Sequence, residues 1–355
     1  MNCFQLKIFQ EINKSTIGQN IMVSPLSIYH ILSLTANGAA NNTLQEMLKA
    51  LSEKDKNEMN KVNKQISSCI EKYKSLELAN AVFFKFKPEK TFMNIVHEYK
   101  AKLDILKDAK QVNNWCSQAT HKKIPKIVDA ITPNDLMVLI NAIYFKGNWE
   151  KTFDKKKTKK NGFKNFNKNS KQVDFMNKSE KFYYFENSEV QAISLDYKHD
   201  NMKAFIILPK NEQDINVFIQ NFTTEKYTEI LKNLRFVKVE LSLPKFEIQF
   251  SDELKPKFAS MGMAEAFSNK ADFSIMKKEK DLYIGRIIHK TFIKVDEEGT
   301  EAAAATAVMM KCMGCVPMPE RIIYMIVNHP FLFIIRTDDL PSGHDILFIS
   351  KVESL

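Results

Sequence analysis

The groups able to do chemistry are few and poorly placed for catalysis. Seven histidines stand at 30, 97, 121, 199, 289, 329 and 344, without the spacing of a metal-ligand set or a nucleophile motif. No metal, no cofactor and no enzymatic turnover is expected. Of five cysteines, Cys3, Cys69 and Cys116 are scattered, whereas Cys312 and Cys315 form a Cys-x-x-Cys pair. Lacking a second pair or histidine partners, that pair does not read as zinc-binding. It reads as two incidental thiols on an exposed loop, or as a loop that oxidation would stiffen. So sparse and odd a set builds no disulfide framework and tolerates a reducing compartment.

The other chemical concentration is basic. The chain of 355 residues carries a formal charge of +10, and the excess gathers between 151 and 171. There Lys151, Lys155, Lys156, Lys157, Lys159, Lys160, Lys164, Lys168 and Lys171 face one acid, Asp154. The plain reading is a solvated lysine loop; the sharper one is a site for a polyanion such as heparin, centred on Lys155, Lys156, Lys157, Lys159 and Lys160. Without arginines, and with only Phe153, Phe163 and Phe166 as aromatics, the segment is a weak nucleic-acid candidate.

The elements that must position these groups follow from patterning. Phe4, Ile8, Phe9 and Ile12 share one face of an N-terminal helix rather than forming a cleavable signal. No apolar run is long enough to span a membrane. The expected location is the cytoplasm, or outside the cell without a cleavable signal. Ser24 caps a helix opened by Pro25 and ended near Gly38. Thr43 and Glu46 have the spacing of a capping box for a second helix, and residues 53–75 continue as a polar helical stretch. After Leu76 come β-branched and aromatic runs: 78–84, 136–145, 204–208, 237–243, 246–250, 291–295, 331–335 and 346–350, with one helix near 112–120. With 44% hydrophobic residues and no Gly/Ser or Pro-rich linker, one α+β domain over 1–355 is expected.

Residues 294–319 are the most informative. Four consecutive alanines favour helix, yet the segment lies between a β-rich run and Pro317 and Pro319. Read as extended chain, it places Thr300, Ala302, Ala304 and Thr306 on one face and Glu301, Ala303, Ala305 and Ala307 on the other. A strip so small could slide between existing strands without overpacking the core beneath. Gly299 supplies a hinge.

Glu297-Glu-Gly-Thr-Glu-Ala-Ala-Ala-Ala-Thr-Ala307 resembles the hinge of an inhibitory serpin. Further matching stretches are Asn20-Ile-Met-Val-Ser-Pro-Leu-Ser-Ile28, Asn141-Ala-Ile-Tyr-Phe-Lys-Gly-Asn-Trp149, Leu243-Pro-Lys-Phe246 and Asn328-His-Pro-Phe-Leu-Phe333. The lack of a visible cleavable signal and the composition of the loop resemble the ovalbumin-like, intracellular branch.

That resemblance implies a serpin fold with three β-sheets, about eight to nine helices and an exposed reactive-centre loop at about 297–320. It implies a monomer that traps a serine protease in a covalent complex. The hinge would comprise Glu297, Glu298, Gly299, Thr300, Glu301, Ala302, Ala303, Ala304, Ala305 and Thr306. Ser24, Ser27, Asn141 and His289 would form the polar cluster where sheet strands part, and Trp149 would mark the point of first insertion. Counting seventeen positions from Glu297 gives Met313–Gly314 as the scissile bond, suited to a chymotrypsin-like (cathepsin G-like) or elastase-like enzyme. Because 313–331 is several residues longer than in the family, Lys311–Cys312, suited to a trypsin-like enzyme, is the second choice. The alternative is a non-inhibitory serpin acting as chaperone, carrier or storage protein; small, uncharged hinge residues argue against it.

Overall fold

The computed structural model describes residues 3–210, 214–300, 322–341 and 343–355. Among these there are nine α-helices: α1 Phe4–Lys14, α2 Pro25–Ala36, α3 Asn41–Leu51, α4 Lys56–Ile70, α5 Lys90–Glu98, α6 Ala109–Ala119, α7 Ile215–Gln220, α8 Thr224–Lys232 and α9 Lys255–Ser260. The strands are β1 Ile21–Val23, β2 Leu76–Phe84, β3 Lys102–Ile105, β4 Met137–Phe145, β5 Gly147–Asn148, β6 Lys159–Lys164, β7 Ser170–Glu186 and β8 Val190–Asp196. They continue with β9 Met202–Pro209, β10 Arg235–Pro244, β11 Phe246–Glu253, β12 Arg286–Val295, β13 Gly299–Thr300, β14 Ile323–Ile326, β15 Phe331–Thr337 and β16 Ile346–Val352.

One sheet runs β3-β2-β4-β12-β13-β5, with β11 on the other edge of β12. The remaining strands form a continuous network, β1-β16-β15-β9-β8-β7-β10-β14, with β6 also on β7. The long β7 divides that network into two groups: its first part pairs with β6, its middle with β10, and its last residues with β8. Three sheets, two of them joined through β7, therefore carry the α+β fold.

Helix α2 explains how the central sheet is supported. All twelve of its residues are buried, as an apolar sequence of this kind requires, and it packs against β2, β4 and β16. A second, smaller core lies between this sheet and α6, where Val112 and Cys116 join Ala81, Phe83, Val138, Ile140 and Ile288.

Two expectations need correction. Helix α3 starts at Asn41, so Thr43 lies inside it and caps nothing. Its hydroxyl instead donates to Glu265 and accepts from the Asp272 N–H, while Glu46 accepts from the Glu265 N–H: tertiary partners displaced the local box. Nor is 151–171 an irregular lysine loop. A 3-10 turn over Lys155–Lys157, capped by Asp154, leads into a β6–β7 hairpin. Burial of Phe163 and Phe175 on that hairpin outweighs the mutual repulsion of solvated lysines.

Candidate functional site: a sheet seam and the hinge above it

Strands β4 and β12 are parallel neighbours, paired from Val138–Arg286 to Tyr144–Phe292. Beyond that register they separate, and β13 occupies the gap. Thr300 pairs with Val295 of β12 on one side and with Gly147 of β5 on the other. The hinge thus already contributes two residues to the sheet, and below them the seam is closed.

Gly299 is required here. It adopts φ +154°, and a Cβ would stand 2.1 Å from the Gly147 carbonyl oxygen, a clash with fixed backbone. Thr300 is fully buried and its hydroxyl lies 2.7 Å from the Tyr197 hydroxyl. Burial pushes the Tyr197 phenol upward, so it stays neutral. Tyr197 stacks on Trp149, with centroids 4.7 Å apart. Trp149 donates its indole N–H to the Asp296 carbonyl at 2.9 Å and its backbone N–H to that of Glu298 at 3.0 Å.

Both hinge carboxylates are held. Glu297, only 4% exposed, accepts from Thr158 Oγ1 at 2.7 Å and from Lys245 Nζ at 2.9 Å. Burial alone would raise its carboxyl, but these donors hold it below the usual carboxylate value. Glu298 pairs with Lys155.

The polar cluster lies lower on the seam. His289 and Asn141 are directly opposed across β4 and β12, and all four expected members are buried. The Ser24 backbone N–H donates to His289 Nε2 at 3.2 Å, which puts the ring proton on Nδ1, facing Asn141 Oδ1 at 2.5 Å. Ser27 Oγ donates to the same oxygen at 2.6 Å. Ser24 also caps α2 and donates its hydroxyl to the Leu347 carbonyl. Burial lowers His289 from 6.5 to about 3, so the ring is neutral. A strand entering between β4 and β12 must break the His289–Asn141 bond.

The structure extends this cluster beyond the expected residues. Asn141 donates to Asn80 Oδ1, and Asn80 donates to His30 Nδ1 at 3.2 Å, whose Nε2 faces Ser67 Oγ on α4 at 3.1 Å. Burial lowers His30 to about 4. Tyr197, Thr158, Lys245, Asn80 and His30 were not identified from sequence. Each lies far along the chain from its partner, and only the polarity of Asn80 within an apolar strand hinted at a role.

Of the remaining expected residues, Glu301, Ala302, Ala303, Ala304, Ala305 and Thr306, both proposed bonds, Met313–Gly314 and Lys311–Cys312, and Cys315 lie outside the described residues. Lys155, Lys156, Lys157, Lys159 and Lys160 are all exposed; Lys155 pairs with Glu298, and the other four line one open cleft. No group of His, Cys, Asp and Glu suited to a metal occurs among the described residues. Among them, no helix is long and apolar enough to cross a membrane.

Comparison with known proteins places this geometry. The sequence profile described as "Serpin (serine protease inhibitor)" matches residues 1–355. The chain is 35% identical to the leukocyte elastase inhibitor of Xenopus tropicalis, covering 99% of this chain and 97% of that protein. It is 31% identical to human serpin B3, with the same coverage. Among solved structures, the thermophilic serpin tengpin in its native state superposes with a TM-score of 0.90 at 33% identity, covering 99% and 92% of the two chains. Human thyroxine-binding globulin complexed with thyroxine superposes at 0.87 with 27% identity, covering 99% and 96%. With the sequence profile matching residues 1–355 and likeness to these relatives over the whole length, the chain belongs to the serpin family.

Proposed function

We infer that the protein inhibits a serine protease as a suicide substrate. The protease serine attacks a carbonyl of the 301–321 segment and forms an acyl-enzyme, with all the chemistry supplied by the protease. Before water completes the reaction, the severed loop enters the seam between β4 and β12 as a new strand, drawing the enzyme with it. A dozen added backbone hydrogen bonds, together with apolar burial, release on the order of 10 kcal/mol. Serpin loop insertion is itself a standard example of stored strain released in this way.

The observation that carries this reading is the seam: Gly299 and Thr300 are already paired between β5 and β12, while β4 and β12 remain in direct register below. Closure there is what a later insertion would exploit. Sequence favours Met313–Gly314 as the bond and a chymotrypsin-like or elastase-like enzyme as partner, with Lys311–Cys312 and a trypsin-like enzyme second. The carrier reading draws support from the thyroxine-binding relative. Against it, Thr300 is small, uncharged and accommodated within the sheet.

Incubation with enzymes of the three classes tests the proposal. One of them forms an SDS-stable complex, and N-terminal sequencing of the released C-terminal fragment identifies the bond. Loop cleavage without a complex, and with no large rise in heat resistance, would sink it.

A further inference from the structure

The lysine run has a hydroxyl at its centre. Lys155, Lys156 and Lys157 precede Thr158, and Lys159 and Lys160 follow it. All five lysines are exposed, and Lys156, Lys157, Lys159 and Lys160 pair with no carboxylate among the described residues. Thr158 is half-buried and donates its hydroxyl to Glu297 Oε1 at 2.7 Å. Lys245 Nζ donates to the same oxygen at 3.2 Å and stands 2.9 Å from the second one. One hydroxyl thus shares a hinge carboxylate with one lysine. The segment around it is easily offered to another protein. It consists of a 3-10 turn of three residues followed by β6, which among the described strands pairs with β7 alone.

We propose that Thr158 is a phosphorylation site for a basophilic protein kinase, and that the added phosphate takes Lys245 from Glu297. Lysines on both sides of the acceptor match an acidic peptide groove, and charge pattern is a common basis of kinase selectivity. The other hydroxyls of the run are less favoured: Thr152 lies between Glu150 and Asp154, and Ser170 has only Lys168 and Lys171 close in sequence. In the transfer, Thr158 Oγ1 attacks the γ-phosphorus of ATP and the bond from that phosphorus to the bridging oxygen breaks. ADP leaves, and the hydroxyl proton passes to the catalytic carboxylate of the kinase. The ester oxygen then has no proton to donate, so Glu297 loses its hydrogen bond. The phosphate adds about −1.5 to −2 of charge at pH 7, beside a carboxylate only 4% exposed. Because Lys245 already bonds the oxygen that Thr158 bonds, the new anion forms next to it and competes for it as the stronger acceptor. Neither the site nor the exchange of partners rests on the loop-insertion reading above.

The folded full chain is incubated with magnesium ATP and the catalytic fragment of protein kinase C, which accepts basic residues on both sides of its target. Tandem mass spectrometry then finds the phosphate on Thr158, and total incorporation falls to background in a Thr158→Val protein. Trp149 reports the second half of the proposal, since its indole N–H bonds the Asp296 carbonyl and Trp115 is the other tryptophan. In a Trp115→Phe protein, phosphorylation shifts Trp149 emission to the red and lowers the unfolding midpoint by about 2 °C. A phosphatase reverses both changes. Thr158→Val, which loses the hydrogen bond without gaining charge, shifts the emission less. Phosphate elsewhere in the run, or incorporation that Thr158→Val leaves unchanged, would overturn the site. Phosphate on Thr158 with emission and midpoint unchanged would overturn the exchange of partners.

Discussion

The middle and the upper end of the β4–β12 seam are closed by different chemistry. In the middle, neutral groups buried from water meet across the strands, with His289 and Ser27 converging on Asn141. At the upper end, β13 is wedged in and its approach is fixed by carboxylates against lysines, at the rim where solvent reaches the cations. Buried neutral bonds are costly to leave unmade but indifferent to salt. Ion pairs at a surface are weak and screened. On the insertion reading proposed above, the seam is thus firmly latched where an entering strand would finally pass and lightly latched where its passage would begin.

The largest effect is expected at the upper end. Thr300→Arg puts a charge where Thr300 is fully buried against Tyr197, so Gly299 and residue 300 are expelled and cannot re-enter after cleavage. Covalent complex disappears and the loop is turned over as substrate, while circular dichroism stays that of the parent. A variant that still yields SDS-stable complex contradicts the site assignment.

In the middle of the seam, Asn141→Ala deprives His289, Ser27 and Asn80 of a partner at once. Leaving such buried groups unpaired costs about 3 kcal/mol, roughly 4 °C in the unfolding midpoint of a chain this long. Heating should also produce loop-inserted or polymeric species earlier than in the parent. An unchanged midpoint would mean that the cluster does not hold the seam.

Acid acts on the middle of the seam through its buried histidines. His289 and His30 are lowered by burial to about 3 and about 4, from an ordinary 6.5. Between those values the unfolded chain binds protons that the folded chain refuses. The share of stability linked to these two rings is therefore fully present above about pH 6.5 and is lost as pH falls toward 3. His344, also lowered by burial to about 4, titrates in the same window, so the informative comparison is parent against His289→Asn. That variant should lose stability less steeply with acid, measured as midpoint against pH. Equal slopes would remove His289 from the response.

How far the molecule was legible depends on how local its causes are. The strands at β4, β12, β15 and β16 follow from apolar, β-branched runs, and α2 from Ser24, Pro25 and its apolar face. The β6–β7 hairpin was hidden because lysines outnumber Phe163, Val173 and Phe175, though these three set its register. Gly299 and Thr300 were identifiable as hinge, and Asn141 with His289 as partners, through resemblance. What no local pattern encodes is the set of distant contacts that restrain them: Thr158 and Lys245 on Glu297, Tyr197 on Thr300, and Asn80 with His30 beneath the sheet.

The smallest effect is the most diagnostic. Lys245→Gln removes one of two donors to the Glu297 carboxylate, and since Lys245 is about one-third exposed, screening reduces the loss to about 0.5 kcal/mol. The unfolding midpoint should hardly move. Trp149 emission should shift slightly and lose part of its dependence on salt, because the pair that salt weakens in the parent is already absent. Asn141→Ala should show the reverse, a lowered midpoint with the parent's salt dependence of emission intact. If both variants responded to salt alike, the two ends of the seam would be one latch, and the division between a neutral middle and an ionic rim would fail.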